Sequence, residues 1–78
     1  MIFISRDGAS FDVEKYDWDA GVGVFKATLW GIQPNWVVNA IQEGPVTIKV
    51  DGHEFVGFRA LVIHMVGHSM FFEGTYEV

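Results

Sequence analysis

The last third of the chain alternates between apolar and polar side chains and is interrupted twice by dipeptides that favour tight turns. Asp51-Gly52 is the first, because both central residues of a type I′ turn need positive φ, which Gly and Asp tolerate. Gly67-His68 is the second, with Gly at the first central position of a type II′ turn. Residues 46–78 therefore predict a three-stranded antiparallel meander.

Two-residue turns also fix which residues face each other across the strands. The pairs expected in this meander are Ile48 with Phe55, Lys49 with Glu54, Ile63 with Phe72, Met65 with Met70, and Arg59 beside Tyr76. Gly57 interrupts the middle strand and predicts a bulge or a bend. Beyond it, residues 60–63 are apolar on both faces, which is typical of a strand that is covered from both sides.

The first third of the chain gives a weaker pattern of the same kind. Asp7-Gly8 favours a two-residue turn, which would pair Ile4 with Phe11. Residues 15–23 contain two glycines and are interpreted as a loop or an irregular strand. Residues 24–31 alternate again and predict a further strand, with Lys26, Thr28 and Trp30 on one face.

A short helix is predicted near 35–43. Its apolar stripe consists of Trp36, Val37, Ala40 and Ile41, and Asn35 can serve as its N-cap. Gly44-Pro45 is a stop signal. Because two valines and a tryptophan lower helix propensity, a strand over 36–41 stays open.

These elements predict one domain, residues 1–78, with a β-dominated α+β fold. We expect an antiparallel sheet or small barrel of about five to six strands, including the C-terminal three-stranded meander, with one short helix near 35–43. Seventy-eight residues fit a single domain.

The charge and the cysteine content restrict the function classes. Ten acidic residues against five basic ones give a net charge of −5 with no basic patch, which disfavours direct binding to nucleic acid. The chain has no cysteine and no apolar run long enough to cross a membrane. It also lacks a secretory signal at its start. The expectation is a cytoplasmic protein without membrane contact.

No pattern of an enzyme or a cofactor site is present. The serines lie outside a nucleophile elbow, and Gly21-Val22-Gly23 lacks the third glycine of a dinucleotide loop. His64 and His68 are four residues apart but straddle a predicted turn, so their rings need not converge. We therefore expect no catalytic, cofactor or metal site, and a small metal protein or enzyme is the third alternative.

The content of apolar residues favours a binding function. Half of the residues are hydrophobic, and seven Phe, three Trp and two Tyr are more than so small an interior hides easily. A tight aromatic core with a few exposed rings is the plainer interpretation. The leading hypothesis is a non-enzymatic, self-associating protein-binding domain that uses a sheet edge or an apolar face around residues 60–66 and 70–72.

An acidic stretch supplies the candidate partner-binding residues. They are Asp12, Glu14, Asp17, Trp18, Asp19 and, from the last strand, Phe71. Trp18 is the ring expected to be most exposed, and such carboxylates could occupy the basic surface of a host protein, as a viral or mobile-element inhibitor would. Carboxylates that serve only solubility are the simpler reading. A structural subunit of a ring, tube or particle is the second alternative.

Overall fold

The computed structural model describes residues 2–4 and 9–77, with side chains at 2, 4 and 11–77. These residues form seven strands and one helix: β1 (Ile2–Ile4), β2 (Ala9–Phe11), β3 (Val13–Asp19), β4 (Val24–Trp30), α1 (Asn35–Glu43), β5 (Val46–Val50), β6 (His53–Val66) and β7 (Ser69–Thr75). The strands make one antiparallel sheet in the order β2-β1-β5-β6-β7-β4-β3. The predicted β-dominated α+β class is confirmed.

The long strand β6 joins the two halves of this sheet. Its residues 53–58 pair with β5, and its residues 59–66 pair with β7. Gly57 lies near the end of the first of these ranges with a φ of 69°, and the β5–β6 register shifts there, so the predicted bulge is confirmed. The sheet curls into half of a barrel. Trp18 of the edge strand β3 thereby comes within 5.5 Å of Phe55 in β6, measured between ring centroids.

Both predicted turns of the meander are present. Asp51 and Gly52 have φ values of 48° and 83°, as a type I′ turn requires, and Gly67 has a φ of 58° at the first position of the second turn. Four of the predicted pairs are confirmed: Ile48 with Phe55, Lys49 with Glu54, Ile63 with Phe72, and Met65 with Met70. The Lys49 ammonium lies 3.7 Å from the Glu54 carboxylate, and both side chains are exposed.

One meander pair differs from the prediction. Arg59 lies opposite Thr75 and not beside Tyr76, because a bulge between Ala60 and Val62 shifts the register by one residue. Gly74 allows this close approach. A Cβ atom at Gly74 would lie 2.0 Å from the Arg59 carbonyl oxygen, a distance that no packed side chain can occupy.

The N-terminal pairing is also corrected. Ile4 lies opposite Ala9 and not Phe11, which faces Ile2 instead. A shift of two residues keeps each side chain on its original face, and Ile2 and Ile4 are fully buried. The predicted Asp7-Gly8 turn lies outside the described residues. β1 also pairs with β5, and this pairing links the N-terminus to the meander.

The segment 15–23 is more regular than a loop. Residues up to Asp19 continue β3, which pairs with β4, and only residues 20–23 form the turn between them. The backbone N–H groups of Val22 and Gly23 donate to the Asp19 carbonyl oxygen and close this turn. The sequence signal was the alternation of Tyr16 and Trp18 with aspartates, which is typical of a strand.

The helix prediction is confirmed, and the alternative of a strand over 36–41 is wrong. Val37, Ala40 and Ile41 are buried against the sheet, and Gly44 ends the helix with a 2.8 Å hydrogen bond from its N–H to the Ala40 carbonyl oxygen. The N-cap is Pro34 and not Asn35, and no side chain caps the helix there. Burial of the apolar stripe, more than local capping, therefore holds this helix in place.

Candidate functional site

The C-terminal half of β6 has a free side. β5 pairs with β6 only as far as Phe58, so residues 60–66 have β7 on one side. No other strand in the described part of the chain pairs with these residues on the opposite side. We call this free side of residues 60–66 the β6 edge. Its unpaired backbone groups can accept another extended chain.

Four apolar side chains of the β6 edge are exposed. Leu61 is 73% exposed, Val66 66%, Met65 58% and Val62 42%. The expectation that this apolar strand is covered from both sides is therefore wrong within one chain. Residues 60–66 contain no Asp, Glu, Lys or Arg, which are the residues that usually keep free edges from pairing.

The turn geometry determines which backbone groups point to the free side. Val66 and Ser69 flank the two-residue turn, so their N–H and C=O groups bond to each other. Backbone direction alternates along a strand, and His64 and Val62 therefore also bond to β7. Ile63 and Met65 direct their N–H and C=O groups to the β6 edge.

An apolar patch continues from the β6 edge across the outer face of the sheet. We define the outer patch as Trp30, Val62, Val66 and Phe71, whose strand positions face away from the core. Trp30 is 57% exposed, whereas Trp18 is half-buried. The expectation that Trp18 is the most exposed ring is therefore wrong, although the alternation over residues 24–31 had placed Trp30 on the polar face of its strand.

The structure brings together only some of the predicted partner-binding residues. Asp12, Glu14, Asp17 and Asp19 are all exposed, on or beside β3 at the far edge of the sheet. Asp17 and Phe71 line one shallow depression of about 370 Å³ on the outer face, together with Lys15 and Lys26. These two lysines reduce the negative potential that the aspartates create there.

Trp18 faces the other way, toward the interior. Its ring stacks on Tyr16, with centroids 5.8 Å apart and planes at 4°, and lies 4.4 Å from the His53 ring. Trp18 therefore contributes to packing at the end of the half-barrel. The structure does not place it with Phe71, and its part in partner binding stays a prediction.

Several of the acidic side chains are engaged by their own chain. The Ser69 hydroxyl donates to the Glu14 carboxylate, the Trp18 backbone N–H donates to the Asp17 carboxylate at 2.8 Å, and the Gly21 backbone N–H donates to the Asp19 carboxylate at 2.9 Å. The Asp17 and Asp19 bonds are typical of side chains that fix local backbone geometry, whereas the Glu14 bond links β3 to β7. They leave further carboxylate lone pairs open to solvent or to a partner.

The pKa of Tyr16, at the end of the half-barrel, is shifted. A hydrogen bond to the Asp51 carboxylate raises the pKa of the Tyr16 phenol above its usual 10.0, and desolvation and the negative charge of Asp51 add to the effect. Ionising this phenol would place two negative charges side by side. These contacts therefore favour a neutral Tyr16 phenol that donates a hydrogen bond, and they disfavour the phenolate that a nucleophile would require.

The histidines lie in different surroundings. His53 lies against Trp18, His68 lies against Trp30, and His64 faces Phe71 across the strands. The described residues contain no group of three or more histidine, aspartate or glutamate side chains that could hold a metal ion. In the same part of the chain, no helix is long and apolar enough to span a membrane. Comparisons with protein-family models, curated proteins and solved structures give no match to this chain.

Proposed function

We propose that this chain is a non-enzymatic protein-binding domain and that it binds an extended protein segment along the β6 edge. The single observation that carries the proposal is an uncharged strand edge, seven residues long, with exposed apolar side chains on both faces. Strand addition uses backbone hydrogen bonds for affinity and the alternating side chains for specificity. Both are available at the β6 edge.

The contrast with the other long edge supports this choice. β3 forms the opposite end of the sheet and carries Glu14, Lys15, Asp17 and Asp19. Charged side chains on an edge strand discourage pairing with another chain, because pairing would desolvate them. Within one fold, the charges therefore protect one edge, whereas the β6 edge is left open.

Photo-crosslinking tests the proposal. A benzophenone amino acid replaces Leu61 at the β6 edge in one variant and Val22, which is 68% exposed in the β3–β4 turn, in the matched control. We expect protein cross-links from position 61, identified by mass spectrometry, and a loss of those cross-links when Met65→Pro removes an edge N–H. Equal cross-linking from positions 61 and 22 would contradict the proposal.

A second candidate function uses the acidic side chains beside β3. Four exposed carboxylates between residues 12 and 19 favour a partner with a basic surface, as an inhibitor from a virus or mobile element would require. Such binding weakens steeply with added salt, since exposed charges are screened within about 8 Å at physiological ionic strength. If the affinity for a basic protein changes neither with added salt nor in the double variant Asp17→Asn and Asp19→Asn, this candidate is excluded.

A further inference from the structure

We propose that the β6 edge binds the β6 edge of a second copy of this chain, in antiparallel orientation around a two-fold axis at His64. This inference rests on the proposed function and names its partner. A two-fold contact uses the same surface on both copies, so that surface must be complementary to itself. Charge, backbone direction and side-chain pairing each meet this condition.

Charge restricts where two copies can meet. Each chain carries a net charge of −5, so most surfaces of two copies repel each other. Two copies of the β3 edge would bring the carboxylates of Asp17 and Asp19 together. Residues 60–66 carry no fixed charge, and two copies of this segment come into contact without opposing like charges.

Backbone direction restricts the register. Ile63 and Met65 present their N–H and C=O groups to the free side. In an antiparallel pair centred on His64, Ile63 of each copy lies opposite Met65 of the other, and each such pair exchanges two backbone hydrogen bonds. A register centred on Ile63 would place Met65 opposite Leu61, which lies in the bulge and breaks the ladder.

The side chains match in this register. Val62 of each copy lies opposite Val66 of the other on the outer face, while Ile63 and Met65 meet on the inner face. His64 lies opposite its own copy on the axis. The Val62–Val66 and Ile63–Met65 pairs are apolar, which is the kind of pair that stabilises a sheet. The two outer patches then form one continuous surface across the axis.

A cysteine at the axis tests the register. The native chain contains no cysteine. A non-hydrogen-bonded antiparallel pair has Cα atoms about 4.5 Å apart, which a disulfide can span. We expect His64→Cys to form a linked dimer about tenfold faster or more than the exposed control Val22→Cys under mild oxidation, because pairing raises the local thiol concentration. Equal rates overturn the register.

The mass in solution tests the partner. The unmodified chain should have twice its 8.8 kDa mass, and Met65→Pro should have the mass of one chain. Proline at position 65 removes an N–H that points to the free side only, so the fold of this variant should stay intact. A circular dichroism spectrum like that of the unmodified chain checks this. A single-chain mass for the unmodified protein, or a mass above two chains, overturns the two-fold pair. Cross-links from position 61 to a different protein, with a single-chain mass, overturn the second copy and leave the proposed function standing.

Discussion

Replacing Val66 by lysine should weaken self-association without affecting the fold. Val66 is 66% exposed in one chain and lies opposite Val62 of the other copy in the proposed pair. An apolar cross-strand pair contributes up to about 1 kcal/mol. The burial of part of a valine side chain gives a second estimate of the same contribution, and it is of similar size. The two-fold axis makes this pair twice, so the loss is about 2 kcal/mol per dimer. At about 1.4 kcal/mol per tenfold, the dissociation constant should rise roughly 30-fold.

Sedimentation equilibrium of three proteins measures this effect. Val22→Lys is the matched control, because Val22 is 68% exposed and the substitution is the same, but it lies in the β3–β4 turn. The control should associate as the unmodified chain does, with a small change from one added positive charge on an acidic protein. A change of less than about threefold for Val66→Lys, or an equal change for both variants, would refute the reasoning, since 1 kcal/mol already corresponds to about fivefold.

Two further predictions concern the fold itself. Gly74→Ala should lower the free energy of unfolding by about 3 kcal/mol or more, because its Cβ would overlap the Arg59 carbonyl oxygen. Gly52→Ala has open space around the new Cβ and only the strain of a φ of +83°, so it should cost about 1–2 kcal/mol. Chemical denaturation measures both costs, and equal costs would contradict the steric argument. Asp51→Asn should lower the pKa of Tyr16 toward its usual 10.0 in an NMR titration of the ring, since the hydrogen bond to a charged acceptor is lost. Because the folded-state pKa is raised, this bond stabilises the fold at all pH below about 10 and is lost as the pH rises through the folded-state value, so an unchanged stability profile above pH 10 would contradict its role.

The meander was predictable because the residues that form its turns can be recognised in the sequence. Positive φ at Asp51, Gly52 and Gly67 selects two-residue turns, and these turns fix every pair until the next irregularity. The helix was predictable for a similar reason, because its apolar stripe has one period and a clear stop at Gly44. Local signals and the final packing agree in both elements.

The bulge at Gly57 was predicted, but two other irregularities were not predictable in the same way. The bulge between Ala60 and Val62 contains no glycine, and it forms because Gly74 on the neighbouring strand lets the backbones approach. Such a cause lies on another strand and leaves no local pattern. The β1–β2 register was wrong for a related reason: β1 also pairs with β5, so the Asp7-Gly8 signal is not the only constraint on its position.

The apolar run at residues 60–63 shows why composition alone could not locate the site. A strand that is apolar on both faces is normally covered on both faces, and the sequence was interpreted in that way. In the folded chain, β5 begins at Val46, opposite Phe58 of β6, so the run at residues 60–63 extends past β5 and has a free edge. The pattern was still informative, because a strand with apolar side chains on both faces is unfavourable in water. A single chain leaves some of these side chains exposed. In the proposed pair, the same uncharged strand of a second copy lies beside this edge and buries part of its side chains, whereas the charged β3 edge is suited to remain in water.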